Sequence, residues 1–171
     1  EGGVVASGDA NISSSGIKLD VYQNSDKAII DWRSFDINSN EHTEFHQPSS
    51  SSFILNRISQ NSPSQINGKL SANGNIILMN PNGIMFGPNS QVDVNGLIAT
   101  TADIKNEDFN AGKMNFGIAG NKDAKIINNG AITAKQAGLV GLVAPNVENN
   151  GTITAKLGKV SLAAGDKFTL D

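Results

Sequence analysis

Ile66 to Ile104 reads INGKLSANGNIILMNPNGIMFGPNSQVDVNGLIATTADI, and the order of its short apolar runs and corners decides the fold. At its centre, Asn80-Pro81-Asn82-Gly83 separates Ile76-Ile77-Leu78-Met79 from Ile84-Met85-Phe86. Proline presets φ at the second position of a β-turn, and asparagine tolerates unusual backbone angles at the third. Glycine then lets the chain leave the corner. A second corner, Gly87-Pro88-Asn89-Ser90, follows at once, and Val92-Asp93-Val94 then alternates apolar and polar residues. Two sharp corners joining short buried strands wind a chain into coils.

Working outward, the same unit returns. Asn67-Gly68-Lys69-Leu70-Ser71-Ala72 resembles Asn129-Gly130-Ala131-Ile132-Thr133-Ala134, and both resemble Asn150-Gly151-Thr152-Ile153-Thr154-Ala155. Asn95-Gly96-Leu97-Ile98-Ala99 is a shorter copy. After each full copy comes a second apolar strand: Asn75 to Leu78, Leu139 to Val143, and Lys159 to Ala163. A period near 20 residues, with Asn/Gly corners and no helical pattern, predicts an all-β parallel β-helix. Leucine-rich repeats share the period but need a Leu framework that is absent here. With coils about 4.8 Å apart, roughly six or seven of them make a rod of about 30 Å.

The remaining segments are assigned around these coils, all within a single domain spanning residues 1–171. Residues 1–40 are expected to form an N-terminal cap, with strands at Ile17-Lys18-Leu19-Asp20-Val21 and Ala28-Ile29-Ile30-Asp31-Trp32, because a terminal coil otherwise exposes its core. The polar stretch from Asn38 to Ser52 reads as a loop around a short strand near Phe45. Coils are expected over 53–99 and 126–171. Between them, residues 100–125 gain charge (Asp103, Lys105, Glu107, Asp108, Lys113) and keep Phe109, Met114 and Phe116. An extra-helical strand pair packed on the solenoid wall is expected there. Phe168-Thr169-Leu170-Asp171 arrives in mid-pattern with no cap-like segment, as in a piece of a longer rod.

Composition supports this reading and excludes several functions. Aromatic residues are only 5%, so small aliphatic side chains must fill the core, and 22 Asn with 18 Gly supply frequent corners. A net charge of −3 gives no basic footprint, so nucleic acid is not an expected partner. No apolar run approaches the roughly 18 residues of a membrane-spanning helix, so stable membrane insertion is not expected either. Cysteine is absent, which suits a chain that crosses a membrane unfolded after passing an oxidising compartment.

The candidate chemistry is sparse. At period 2, His42, Glu44 and His46 share one strand face, but a solvated face explains them as well, and no metal site is assigned. Polysaccharide-cleaving β-helix enzymes use clustered carboxylates beside a basic residue. Asp31, Asp36, Asp93 and Asp103 do not recur at a coil spacing that stacks two carboxylates, and Arg33 and Arg57 are the only arginines. No glycine-rich corner opens a helix or carries a phosphate-binding lysine. No catalytic residue, cofactor or enzyme activity is expected.

Phe53-Ile54-Leu55-Asn56-Arg57-Ile58, Pro63-Ser64-Gln65-Ile66-Asn67-Gly68, Asn80-Pro81-Asn82-Gly83-Ile84 and Gly96-Leu97-Ile98-Ala99-Thr100-Thr101 follow one another in an order that resembles the two-partner secretion (TPS) domain of filamentous-haemagglutinin-like exoproteins. Ala28 to Phe35 also matches that family's early segment. The resemblance covers nearly the whole chain and is closer to the high-molecular-weight adhesin branch. A separate Asn-Pro-Asn-Leu motif is lacking. The resemblance implies a right-handed β-helix with a cap and an extra-helical sheet. It also implies recognition by the periplasmic POTRA domains of a TpsB-type outer-membrane transporter, and export as a monomer through the periplasm to the surface of a Gram-negative bacterium. Asn80, Pro81, Asn82, Gly83 and Ile84 are then the candidate recognition motif or folding hub, with Leu55, Asn56 and Arg57 as a second motif. A direct host-binding adhesin module is the alternative.

Overall fold

The computed structural model describes all 171 residues. The chain opens with β1 (Val4–Ser7), β2 (Ala10–Ser15), β3 (Lys18–Gln23) and β4 (Lys27–Trp32). Next come β5 (His42–His46) and β6 (Phe53–Ile58). One full coil follows as β7 (Ser64–Ile66), β8 (Lys69–Ala72) and β9 (Asn75–Met79), and another as β10 (Ile84–Phe86), β11 (Gln91–Val94) and β12 (Gly96–Thr100). A short helix, α1 (Asn106–Asn110), and β13 (Met114–Phe116) leave the stack. The chain returns as β14 (Lys125–Asn128), β15 (Ala131–Ala134) and β16 (Leu139–Ala144), then β17 (Asn146–Asn149), β18 (Thr152–Ala155) and β19 (Lys159–Ala164). It leaves once more as β20 (Phe168–Leu170).

Three sheets wall the solenoid. The first runs β1-β4-β6-β9-β12-β16-β19, the second β18-β15-β11-β8-β5-β3-β2, and the third β17-β14-β10-β7. Neighbours are parallel except at one end, where β1 is antiparallel to β4 and β2 to β3. Register confirms the repeat: Ile84 lies opposite Ser64, Leu97 opposite Ile76 and Gln91 opposite Lys69, steps of 20, 21 and 22 residues. The parallel β-helix read from the Asn/Gly corners is therefore the fold.

Each sheet's sequence pattern follows from what covers it. Strands of the second sheet alternate, as in β11, because Val92 and Val94 face the interior while Gln91 and Asp93 face water. The central strands of the first sheet, β9, β12 and β16, are nearly continuous apolar runs, because both of their faces are covered. In β9, Ile76 and Leu78 belong to the interior cluster, with Phe86, Val92 and Val140. Ile77 and Met79 point outward into a second cluster with Leu55, Ile98, Phe109 and Phe116. The extra-helical segment supplies that outer cover. Burying one such aliphatic side chain is worth about 2 kcal/mol, and the outer cluster fastens the segment to the wall.

The strand partners within the expected segments differ from the expectation in three places. The pair expected within 100–125 is instead α1 plus β13, and β13 pairs antiparallel with β20 from the far end of the chain. Phe116 stacks on Phe168 with ring centroids 4.5 Å apart, so aromatic packing draws that end out of the coil pattern. Within residues 1–40 only β1 and β2 run against the stack, whereas β3 and β4 already pair in parallel with β5 and β6. Gln47, expected in a polar loop, is buried: its Nε2 donates to Gln23 Oε1 at 3.1 Å, and its Oε1 accepts from Gly74 N at 2.9 Å. An amide inside the wall satisfies backbone groups that an aliphatic residue would strand.

Candidate functional site

At Met79 the chain must turn from the first sheet into the third. Asn80 makes the turn, and it is fully buried. Its Oδ1 accepts from Asn82 N at 2.9 Å, a local bond that mimics a backbone turn. Gly83 N donates to Asn80 O at 3.0 Å and closes the corner. Asn80 also reaches outside the corner. Its Nδ2 donates to Ser62 O at 3.1 Å and Ser64 Oγ at 3.0 Å, both in the preceding coil, and its backbone N donates to Thr100 O at 3.1 Å in the following one. Asn82 Nδ2 adds a bond to Gln60 O at 2.8 Å. One corner thus pins three successive coils.

Gly83 and Ile84 are also enclosed. Gly83 has φ +109°, and it packs against the backbone of Lys125 in β14. Ile84 is buried in the interior cluster. Pro81 and Asn82 keep partial exposure, and Asn121 N from the returning extra-helical segment donates to Pro81 O at 2.9 Å. A partner meeting the folded domain finds little of this motif to touch.

Leu55, Asn56 and Arg57 divide three ways. Leu55 joins the outer cluster. Asn56 faces the interior, fully buried, where Oδ1 accepts from Trp32 Nε1 at 2.9 Å and Nδ2 donates to Ile77 O at 3.3 Å. Arg57 faces outward and bridges the wall to the extra-helical segment. Its Nε donates to Asp103 at 3.0 and 3.1 Å, Nη1 to Asp31 at 3.0 Å, and Nη2 to Ile104 O at 2.9 Å and Asn106 Oδ1 at 2.8 Å. Burial opposes the charge on Arg57, but the bonds to Asp103 and then Asp31 outweigh it and raise its pKa above the ordinary arginine value.

Sequence reading missed this bridge. Asp31 lies directly opposite Arg57 in the parallel pairing of β4 and β6, across a coil lengthened by the Gln47–Ser52 detour, so the repeat spacing conceals it. Asp103 comes from the excursion, which has no period at all. The bridge gathers two of the weighed carboxylates around an arginine, and both are ion-paired with it. Asp36 accepts from Gln65 N at 2.8 Å, and Asp93 lies on the outer face of the second sheet. The arrangement braces the fold.

Arg57→Ala is expected to lower stability by about 2 kcal/mol, less than for a fully buried pair because Asp31 is half exposed. Arg57→Lys should recover less than half of that, since one ammonium cannot reach the four partners of a guanidinium. Urea denaturation gives the loss. Proteolysis, accelerated first between Asp103 and Ile118, locates it.

On β5, His42, Glu44 and His46 do share the outer face. His42 Nε2 lies 2.7 Å from Ser71 Oγ, and burial lowers its pKa. Lys18 Nζ lies 2.9 Å from Glu44 Oε1, which raises the lysine pKa and lowers that of Glu44. His46 bonds Asp20 at 2.8 Å, the main cause of a lowered Asp20 pKa.

With this geometry in hand, the relatives are informative. The chain is 39% identical over 99% of its length to the Heme/hemopexin-binding protein of Haemophilus influenzae, of which it spans only 19%. It superposes on the crystal structure of the HMW1 secretion domain from Haemophilus influenzae with a TM-score of 0.90 and 37% identity, covering 99% of this chain and 45% of that one. The profile described as TPS secretion domain matches residues 2–171, and the chain belongs to the TPS secretion domain family.

Proposed function

We propose that residues 1–171 act as the N-terminal secretion module of a large exported adhesin-like exoprotein. In this reading the chain, as a monomer, is recognised in the periplasm by the POTRA domains of a TpsB-type outer-membrane transporter. It then nucleates β-helix folding at the surface of a Gram-negative bacterium. The observation that carries the reading is the family match along the whole chain.

Physical features of the solenoid support the folding half. Each coil rests on its neighbours, so folding can advance coil by coil as the chain emerges. One end is closed by the antiparallel strands β1 and β2, while β17, β18 and β19 each keep an open edge at the other. Val160 and Leu162, about half exposed on β19, mark that edge. Further parallel coils can stack on β17, β18 and β19. Asn80, Pro81, Asn82, Gly83 and Ile84 serve as the folding hub, and Leu55, Asn56 and Arg57 as the second brace. Recognition suits the unfolded chain, in which extended segments are free to add to a POTRA sheet edge.

The test is retention of the unfolded chain on immobilised POTRA domains of the cognate transporter, with export of the exoprotein lacking residues 1–171 measured alongside. Retention and loss of export are expected; export that persists without these residues overturns the reading. A host-surface-binding module is the second reading, favoured by the name of the heme/hemopexin-binding relative. Saturable binding of heme or hemopexin by the folded chain, with no POTRA retention, is the outcome that selects it.

A further inference from the structure

The outer face of the second sheet carries a cluster that the export reading does not use. Parallel register places Asp20 of β3 directly opposite Glu44 of β5, and Tyr22 opposite His46. His46 Nε2 is 2.8 Å from Asp20 Oδ1, and His46 Nδ1 is 4.0 Å from Glu44 Oε2. One ligand atom from each of Asp20, Glu44 and His46 lies within 4.8 Å of the other two. Tyr22 stacks on the imidazole at 4.6 Å between ring centroids and 10° between planes, which fixes the ring's orientation. A positive charge already sits among the carboxylates: Lys18 Nζ is 2.9 Å from Glu44 Oε1 and 3.2 Å from Asp20 Oδ1.

The sequence alone groups His42 with Glu44 and His46. Residues i and i+4 on a strand lie about 13 Å apart, too far to share an ion. The structure commits His42 to Ser71 on β8 and brings Asp20 across from β3 in its place. The converging set is therefore two carboxylates and one imidazole from two adjacent strands, with side chains 20 to 38% exposed. It is open to solvent without any movement of the fold.

We infer that Asp20, Glu44 and His46 form a binding site for a divalent transition-metal ion of the zinc class. Mixed carboxylate and imidazole ligands suit a borderline dication, and a three-residue set leaves the fourth tetrahedral position to water. The ion takes the place of the Lys18 ammonium, whose flexible stem swings to solvent. The imidazole offers the ion the lone pair of one ring nitrogen and keeps its single N–H on the other, so the ion enters as the ammonium leaves. Occupancy ties β3 to β5 and so fastens the closed end of the solenoid. Binding to the native state alone raises the melting temperature by mass action.

The test titrates zinc chloride into the metal-free chain by calorimetry, with thermal melts run in zinc and in chelator. One saturable site and a higher melting temperature in zinc are expected. His46→Ala and Asp20→Asn should each weaken binding at least tenfold, and His42→Ala should leave it unchanged. Lys18→Met keeps all three ligands and removes the competing charge, so it should bind as tightly as the native chain or more so. That variant also decides the matter if a ligand substitution unfolds the protein. Absence of saturable uptake by the native chain and by Lys18→Met overturns the site. So does uptake that survives His46→Ala and Asp20→Asn, or that depends on His42.

Discussion

Gly83→Ala is expected to cost about 4 kcal/mol of folding stability, a large effect for one methyl group. Two penalties combine. At φ +109° the backbone lies where an L side chain is strained, worth about 1 to 3 kcal/mol. The added Cβ would also overlap the carbonyl oxygen of Lys125. That oxygen belongs to β14, held in register between β10 and β17, so it cannot swing aside as a surface side chain would. Overpacking of this kind costs about 1 to 3 kcal/mol more. Asparagine, which tolerates positive φ, should not rescue the position, because its Cβ meets the same oxygen. Equilibrium urea unfolding measures the difference directly, and a loss below 1 kcal/mol for Gly83→Ala would show that the corner relaxes.

Asn80→Ala should cost about 3 kcal/mol. The substitution removes an acceptor for Asn82 N and the donor to Ser62 O and Ser64 Oγ, in a place without solvent access. A buried group left without its partner costs about 1 to 3 kcal/mol, and several are orphaned here. Asn80→Asp keeps the acceptor but loses both donor bonds and buries a charge, so it should be no better than alanine. Asn82→Ala loses one side-chain bond, to Gln60 O, at a part-exposed site, and about 1 kcal/mol is expected. The order Asn80 above Asn82 is the useful outcome. Equal losses would mean that turn formation alone, and not ties between coils, sets the value of the corner.

The sequence treats those two asparagines alike, which shows where its information stops. Coils were legible because an Asn-Gly corner and an alternating strand recur near 20 residues, and stacking in register requires such a repeat. The apolar runs of β9, β12 and β16 marked strands, but not that both of their faces are covered. Burial of Asn80 was not legible, since it depends on Ser62, Ser64 and Thr100 arriving from other coils. Pairings outside the period were equally hidden. β13 meets β20 antiparallel, with Met114 opposite Leu170, and nothing local in either segment specifies the other. Arg57 finds Asp103 in the same way. Polarity misled at Gln47, because a buried amide bonding to backbone looks in sequence like a loop residue. At Asp20, Glu44 and His46 the shared face of β5 was readable, but the cross-strand member was not.

We propose that the Asn80–Gly83 corner serves the fold, while transporter recognition belongs to the unfolded chain. The most direct measurement is retention of unfolded Asn80→Ala chain on the POTRA domains of its transporter, beside the unfolded native chain. Equal retention is expected, although the variant's folded state should be about 3 kcal/mol less stable. Retention lost in the variant while its folded stability matches the native chain would make the motif itself the signal and not a fold element.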